Sequence, residues 1–316
     1  MERQTVARPA PVSGVDAVAG AGELARLWAQ CAPGEPLDAE TLREKLLEDP
    51  HADPTLWLAA RRGGQLVGAA VGVARPSAGG GRATGYIQFL AVAPAVRRQG
   101  VATRLLDELE RRLWERGVAS IRAFGGSPSY LWPGVDVRYT PALCLLERRG
   151  YRIEGYEFNM AVSTAEATRR ADGQRSARAA RLSAAGIVVR PLVPEDREPF
   201  AAWLEQHWGP NWTYEALLAL RREPPSGFVA VREGKIVAFA VFDSTRPGWL
   251  GPMGVQPDLQ ANGVGTELCL QCLEAMGRRG YEVAEIAWAG PRCFYARKIG
   301  AVISRVFATM VRRRQA

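Results

Sequence analysis

Lysine is nearly absent from this chain: Lys45, Lys235 and Lys298 are the only lysines among 41 Lys and Arg residues. Arginine therefore supplies almost all of the positive charge, and it is spread along the chain rather than gathered in one stripe. The formal net charge of +8 suits either a nucleic-acid partner or an anionic cofactor. The even spread argues against a nucleic-acid-binding surface as the main function.

Long apolar runs are also missing. No stretch of the sequence is long enough to cross a bilayer, and the first residues lack the apolar core of a signal peptide. We therefore expect no membrane partner and a cytoplasmic location.

Cysteine is scarce and odd in number, with five residues that do not suggest a disulfide framework. The pair Cys269-x-x-Cys272 falls on an apolar stripe of helical spacing that includes Leu268, Leu273 and Met276. No second cysteine pair or nearby histidine completes a zinc set. We expect core packing for this pair and no metal cofactor.

The common nucleotide-binding signatures are absent, namely the Rossmann Gly-x-Gly-x-x-Gly and the Walker Gly-Lys-Ser/Thr. A different signal occurs twice, at 86–102 and 249–265. In each copy an apolar run ends in Val-x-Pro, followed by Arg or Gln, two spacers, Gly, one spacer, and Ala or Gly. The two copies lie about half the chain apart, which indicates a duplicated strand–turn–helix unit.

Such a turn is suited to binding phosphate. The first amides of a helix have no intrahelical partner and carry the positive end of the helix dipole. Glycine at the opening lets a diphosphate approach the backbone. Arg97 and Arg98 add charged donors in the first copy, whereas the second relies on its backbone and on Thr266.

The same order of elements can be read on both sides of a polar, Ala/Arg-rich segment. Each half shows a helix pair, an antiparallel hairpin and then strand–helix–strand, which predicts a mixed α/β fold: a mostly antiparallel mixed sheet flanked by helices. The predicted domains are 1–163 and 187–316, joined by a linker at 164–186.

Together, the Val-x-Pro strand end, the Arg/Gln-x-x-Gly-x-Gly/Ala turn and the following helix resemble the acyl-coenzyme A-binding motif of the GNAT superfamily of N-acetyltransferases, present here in tandem. The resemblance implies a splayed central strand pair with pantetheine in the gap and the diphosphate on the turn. The implied cofactor is acetyl-CoA or another acyl-CoA. The implied binding positions are Leu90, Ala91, Val92, Arg97, Arg98, Gln99, Gly100, Val101 and Ala102 in the first half, and Met253, Gly254, Val255, Gln260, Asn262, Gly263, Val264, Gly265 and Thr266 in the second.

Family members often use a tyrosine in the helix after the next strand as the acid that protonates the leaving thiolate. Tyr295 resembles that acid, although the glycine after it comes one residue later than usual, while the first half has Leu146 at the corresponding position. The first half instead carries an additional aromatic loop, 127–140. Tyr139 in this loop is a substitute acid, and Tyr130, Trp132 and Asp136 are candidates for an acceptor pocket. The alternative is that the loop only packs its aromatic residues.

An oxyanion donor is expected from the main-chain amide of Val92 or Val255. Candidates for the base are Glu285, on the strand after the second phosphate helix, and His207 beside Trp208, where acceptors commonly bind in this family. Asp243 is a weaker option, a water chain is another, and His207 is equally explained as a structural residue.

These observations favour an acyl-CoA-dependent N-acetyltransferase acting on a small-molecule amine or a peptide amine. The second half is the expected catalytic half, with Tyr295 as acid. The first half is either catalytic through its aromatic loop or holds cofactor for stability. Two alternatives stay open: a non-catalytic acyl-CoA sensor or scaffold, and a nucleic-acid- or ribosome-associated acetyltransferase.

Overall fold

The computed structural model describes residues 12–14, 17–77 and 80–314. The predicted mixed α/β architecture is confirmed: parallel and antiparallel strands form sheets flanked by helices. The chain divides into two compact units. The first unit consists of the chain up to Gly155 together with the chain from Ala308 onward. The second unit is the segment between them, Tyr156–Phe307. The sequence-based domain limits at 163 and 187 stay a prediction.

The first part of the chain alternates helices, a hairpin and a strand–helix–strand segment. Its helices are α1 (Ala17–Cys31), α2 (Ala39–Leu42), a π-helical turn (Arg43–Leu47), two short 3-10 helices (Pro54–Leu56 and Pro94–Val96), α3 (Val101–Glu115) and α4 (Thr140–Arg148). Its strands are β1 (Val12–Gly14), β2 (Trp57–Arg62), β3 (Gln65–Arg75), β4 (Thr84–Val92), β5 (Ser120–Ala123), β6 (Val135–Asp136) and β7 (Arg152–Ser163).

The rest of the chain repeats this order after two extra helices, which occupy the segment expected to be a linker. The helices are α5 (Thr164–Asp172), α6 (Arg175–Ala184), α7 (Arg197–Trp208), α8 (Pro210–Leu217), α9 (Val264–Arg278) and α10 (Arg292–Ile299), with 3-10 helices at Pro194–Asp196, Leu218–Arg221 and Pro257–Asn262. The strands are β8 (Ile187–Pro191), β9 (Gly227–Arg232), β10 (Lys235–Phe242), β11 (Trp249–Val255), β12 (Val283–Ile286) and β13 (Val302–Arg313).

The sheet of the first unit has the order β1-β2-β3-β4-β5 and is completed by the end of β13, where residues 310–313 pair antiparallel with β5. Strand β4 is antiparallel to β3 over its whole length, but its parallel pairing with β5 covers only 84–87. The register shifts at Gln88, which has no partner on β3. This bulge bends β4 away from β5 and leaves its last residues beside a gap.

Helix α3 packs very close to this sheet. Its buried face carries Leu105, Leu109 and Leu113, spaced four residues apart on one side of the helix. A Cβ on Gly68 would lie 2.8 Å from Val101 Cγ1. The small residue in β3 therefore allows the first turn of α3 to sit against the strands, which fixes the helix start next to the end of β4.

The second unit is built in the same way, in the order β7-β12-β11-β10-β9-β8. Residues 160–163 of β7 pair antiparallel with β12. The parallel pairing of β11 with β12 has two register pairs, at Trp249 and Leu250, so β11 also leaves its neighbour early. No helix in the described part of the chain combines the length and apolar character needed to cross a membrane.

Candidate functional site

The turn of the first unit presents the start of a helix to solvent. Gly100 is the N-cap of α3, with φ +75°, a left-handed conformation that glycine adopts without strain. The first helical hydrogen bond runs from Arg104 N to Gly100 O (3.1 Å), so the amides of residues 101–103 have no partner within the helix. Gly100, Thr103, Arg97 and Arg98 are exposed. The arrangement suits an anion.

The gap beside β4 runs towards this turn. Phe124 N, just after β5, donates to Ile87 O of β4 (2.9 Å). The hydrogen bonding between β4 and this part of the chain ends there. On the other edge of β4, Ala93 N donates to Val67 O (2.9 Å). Because an antiparallel ladder alternates, the main-chain groups of Leu90 and Val92 face the gap.

A cavity of about 380 Å³ lies along this gap. It is lined by residues from the end of α1, the end of β4, the turn and start of α3, and the chain from Phe124 to Leu145. Those residues are Trp28, Cys31, Ala32, Leu90, Ala91, Val92, Val96, Arg97, Arg98, Gly100, Val101, Ala102, Thr103, Phe124, Trp132, Gly134, Val135, Asp136, Arg138, Tyr139, Pro141, Ala142 and Leu145. The cavity therefore brings together Tyr139, Trp132, Asp136 and most of the cofactor-binding positions predicted for the first half.

Aromatic side chains surround the end of the cavity away from the turn. The ring centroids of Trp28 and Trp132 are 4.8 Å apart, and Tyr139 lies 6.3 Å from Trp28. The Glu35 carboxylate lies beside them and accepts hydrogen bonds from Trp132 Nε1 (2.8 Å) and Tyr139 OH (2.9 Å). Glu35 thus fixes the orientation of both rings.

Two polar groups on the cavity wall are also held by neighbours. Asp136, 3% exposed, accepts from Arg138 Nη2 (2.7 Å) and from Arg138 N (2.9 Å). Cys31 Sγ donates to Val92 O (3.3 Å), which also accepts from Arg97 Nε (3.0 Å). Burial raises the pKa of the Cys31 thiol, so it is protonated at neutral pH.

Gln99 is the predicted first-half position that is not part of the lining. Its Oε1 accepts from Arg62 Nη2 (2.7 Å), which ties the side chain to β2.

The turn of the second unit has the same backbone but is covered. Gly263 is the N-cap of α9 with φ +81°. A Cβ added there would lie 3.7 Å from Arg178 Cγ and 3.8 Å from Arg181 Nη2, both on α6. Arg178 Nε donates to Glu267 Oε2 (2.6 Å), and the Arg178 side chain is 4% exposed. Side chains of α6 therefore pack against this turn, and Gly263 is half-buried where Gly100 is exposed.

The strand beside this turn is covered as well. A Cβ on Gly254 would lie 2.6 Å from Trp208 Cζ2, so the indole packs directly on β11. Trp208 in turn stacks on Trp212, with centroids 4.8 Å apart. A Cβ added at Gly265 would lie within 3.4 to 3.9 Å of the side chains of Val255, Phe294 and Met253. Val264, Gly265 and Thr266 are buried, while Gln260 is exposed and Asn262 half-buried.

Tyr295 lies in the apolar core of the second unit. It is 7% exposed and belongs to the same core cluster as Cys269 and Ile299. Burial raises the pKa of its hydroxyl. Met253, a predicted binding position, accepts a hydrogen bond from Cys269 Sγ (3.2 Å) close by.

The candidate bases are held by neighbouring side chains. Glu285 Oε1 accepts from Asn159 Nδ2 (2.6 Å) and lies 3.7 Å from Arg305 Nη1.

His207 Nε2 lies 3.3 Å from Gln256 Nε2, with its ring 5.2 Å from that of Trp203. Asp243 accepts from Gly248 N (2.7 Å), and burial raises the pKa of its carboxyl.

Sequence reasoning missed Glu35, Trp28, Cys31 and Arg138. Glu35 stands in a Gly/Pro-rich loop after α1, 97 residues from Trp132 and 104 from Tyr139. No spacing rule connects positions so far apart. The one pattern in the sequence that pointed to this part of the cavity was the pair of Trp28 and Cys31, at the end of an amphipathic helix that precedes the hairpin.

Within the described residues, no group of three or more His, Cys, Asp or Glu side chains is placed to hold a metal ion.

Comparison with known proteins agrees with the duplication. The family model described as acetyltransferase (GNAT) family matches twice, at residues 22–128 and 190–298. No curated protein matches the chain.

Several solved structures share the fold. A GCN5-related N-acetyltransferase from Sphaerobacter thermophilus has a TM-score of 0.64 at 20% identity, covering 96% of this chain and 95% of that one. A tandem GNAT protein from the clavulanic acid biosynthesis pathway has a TM-score of 0.63 at 16% identity, with 96% and 98% covered. The glucosamine N-acetyltransferase region of a fungal multi-domain β-N-acetylglucosaminidase gives 0.73 at 17% identity, and this chain spans 38% of that protein.

Two matches of one family model, at the two places where the strand, turn and helix repeat, account for the predicted tandem arrangement. The chain belongs to the acetyltransferase (GNAT) family.

Proposed function

We propose that this protein transfers an acetyl group from acetyl-CoA to the nitrogen of a small amine, and that the first unit carries out the reaction. One observation carries the proposal. The exposed start of α3 opens onto a 380 Å³ cavity that leads, along the free edge of β4, to a tyrosine hydroxyl.

The residues of the first turn fit the diphosphate of an acyl-CoA. Gly100 is exposed and lines the cavity, so the approach to its backbone is open. The unpaired amides of residues 101–103 and the exposed Arg97 and Arg98 then supply donors and positive charge. The main-chain N–H and C=O of Leu90 face the gap and are placed to bind an amide group of a pantetheine arm.

Acetyl-CoA, when bound, supplies a thioester carbonyl as electrophile and a thiolate as leaving group. The Val92 amide faces the gap, where it can donate to the carbonyl oxygen as that oxygen gains charge. Tyr139 gives its hydroxyl proton, which it otherwise donates to Glu35, to the departing sulfur, and it takes one from the amine that attacks. Glu35 orients Tyr139 through the 2.9 Å hydrogen bond. Tyr139 thus replaces the tyrosine that the family places where this chain has Leu146.

The second unit is assigned a structural role, which revises our preference for Tyr295 as the acid. Arg178 occupies the helix start, Trp208 covers β11, and Tyr295 is buried in the core. An acyl-CoA bound at this turn would have to move the Arg178 side chain.

Calorimetric titration of the purified protein with acetyl-CoA tests the binding part of the proposal. We expect one molecule of acetyl-CoA per chain. Two sites per chain, or a site that survives when the first turn is altered, would contradict it.

A thiol-release assay over a panel of amines tests the catalytic part. We expect amine-dependent release of CoA. The missing tyrosine at Leu146 favours the alternative of an acyl-CoA sensor, and tight acetyl-CoA binding with no turnover of any amine would support that alternative.

A further inference from the structure

The bulge that opens the gap beside β4 also carries a buried polar side chain. Gln88 stands at the bulge without a partner on β3 and is 5% exposed. Its Nε2 donates to Asp49 Oδ2 (2.6 Å) and lies 3.5 Å from Ser129 O. A single amide therefore contacts both the segment after the π-helical turn and the loop 127–140, which we call the aromatic loop.

Asp49 joins this amide to the end of β3. Arg75 Nη1 and Nη2 donate to the two oxygens of the Asp49 carboxylate (3.1 and 2.5 Å), and Nη2 also donates to Pro128 O (2.5 Å). The Arg75 side chain is 5% exposed, and that of Asp49 is fully buried. Two successive carbonyls of the aromatic loop, at 128 and 129, thus face donors on β3 and β4.

The chain just before the aromatic loop packs directly on β4. A Cβ added to Gly126 would lie 2.8 Å from the ring of Tyr86 and 3.2 Å from Arg75 Nε, a contact that only glycine avoids. Gly125 N donates to Trp132 O (2.9 Å), which closes the segment between these two residues. A shift of the two anchored carbonyls would therefore move Trp132 as well.

These contacts are better explained by geometry than by stability. A buried ion pair gains little net stability over apolar side chains of the same size, because both charges lose their hydration. The fork of Arg75, however, meets the Asp49 carboxylate in one direction only. The aromatic loop carries Trp132, Asp136 and Tyr139, which line the cavity. An error of about 1 Å in the place of a reacting group can cost roughly 100-fold in rate.

We propose that Gln88, Asp49 and Arg75 are positioning residues for the proposed acetyl transfer. They hold the aromatic loop against the bulge of β4, which sets the Tyr139 hydroxyl relative to the strand edge where the thioester would lie. None of the three is among the described residues that line the cavity, so they act through Tyr139 and not on the substrates. This inference rests on the proposed function and adds residues to its machinery.

The variant Gln88→Leu removes both contacts of the amide and keeps the side chain at a similar size. We expect kcat to fall about tenfold with KM for acetyl-CoA unchanged, because the backbone of β4 is kept. Combined with Tyr139→Phe, it should lower the remaining kcat by less than about twofold, since its effect passes through the Tyr139 hydroxyl. Thiol release at saturating acetyl-CoA measures all four proteins. A mere loss of folded protein would reduce kcat by the same factor in both backgrounds.

The matched control is Gln271→Leu. Gln271 lies in the second unit, and its Nε2 also donates to a carboxylate, Glu267 Oε1 (2.8 Å). The control should leave kcat and KM for acetyl-CoA as in the wild type.

A second variant, Arg75→Lys, keeps the positive charge beside Asp49. A single ammonium cannot reach both Asp49 oxygens and the Pro128 carbonyl as the guanidinium fork does. We expect the same loss of kcat, again only while the Tyr139 hydroxyl is present. This variant replaces Gln88→Leu in the test if the latter unfolds in urea far more easily than the wild type.

The outcomes separate the two proposals. A wild-type protein that releases no CoA with any amine overturns the proposed function, and this inference with it. If the wild type is active and the variants of Gln88 and Arg75 keep its kcat, only the positioning role is wrong. Equal losses of kcat with and without the Tyr139 hydroxyl also overturn that role alone. A loss confined to proteins that retain Tyr139 supports it.

Discussion

The two glycine turns that open α3 and α9 have the same backbone and different surroundings. Gly100 and Gly263 are both left-handed N-caps, with φ +75° and +81°. The first is exposed beside a cavity, and the second lies under Arg178 and Arg181. The turn that we propose binds phosphate in the first copy is thus packed against the protein's own arginine side chains in the second. A binding motif predicts a local backbone, and its neighbours decide whether a ligand can reach it.

The largest effect is expected from placing a carboxylate on each turn. Gly100→Glu and Gly263→Glu carry the same backbone strain, but only the first puts a negative charge beside the proposed diphosphate. Repulsion of roughly 3 kcal/mol corresponds to about 100-fold weaker acetyl-CoA binding. Calorimetry should show this loss for Gly100→Glu and unchanged binding for Gly263→Glu. Equal losses in the two variants would mean that both turns bind.

The two tyrosines provide a second contrast. Removal of a general acid typically costs about 100-fold or more in rate, so Tyr139→Phe should lower kcat by at least that factor while acetyl-CoA still binds. Tyr295→Phe should change kcat by less than about twofold. Both can be measured by thiol release at saturating acetyl-CoA. A large loss of kcat in Tyr295→Phe with little change in Tyr139→Phe would indicate that the second unit is the catalytic one.

Arg178 should matter for stability rather than for activity. Its side chain is 4% exposed and pairs with Glu267, and loss of one partner of a buried ion pair costs about 3 kcal/mol. Arg178→Ala should therefore unfold at lower urea concentration, whereas Arg181→Ala, at an exposed position, should change stability by less than about 0.5 kcal/mol. Equal stability of the two variants would show that the Arg178 side chain contributes little to the stability of the second unit.

The same pair has a pH signature. Burial alone raises the pKa of the Glu267 carboxyl, but hydrogen bonds from Gln271 and Arg178, with the charges of Arg178 and Arg175, outweigh burial and bring the pKa below its ordinary value of 4.5. The stability from this pair is therefore complete above pH 4.5 and is lost as pH falls through the lowered pKa. The difference between wild type and Arg178→Ala should shrink over that acid range.

The smallest effect concerns the cysteines beside the two strands. Burial raises the pKa of Cys31 above its ordinary value of 9.0, so alkylation at neutral pH should be slow, should accelerate as pH rises, and should be slowed by acetyl-CoA. Cys269, with its pKa raised to about 12 by burial, should not react in the folded protein. Peptide mass spectrometry distinguishes them from the exposed Cys144 and Cys293. If Cys31 is alkylated at the same rate with and without acetyl-CoA, it does not line the acetyl-CoA-binding cleft.

Local patterns predicted much of this fold because they depend on neighbouring residues. Val-x-Pro and the following glycine correctly located the ends of β4 and β11 and the starts of α3 and α9. The cover on the second turn was not predictable in this way, since Arg178 lies far along the chain from Gly263. Likewise, the bond between Glu35 and Tyr139 depends on tertiary packing. The sequence indicated two similar turns but held no local sign that one was closed.

The pairing of residues 310–313 with β5 has a consequence for biosynthesis. A polypeptide leaves the ribosome from its N-terminus, so the neighbour of β5 is synthesised only after the whole of the second unit. The unit that contains the cavity thus begins first and is finished last. A nascent chain that stops before Ala308 would lack this edge of the sheet, however well its earlier segments had folded.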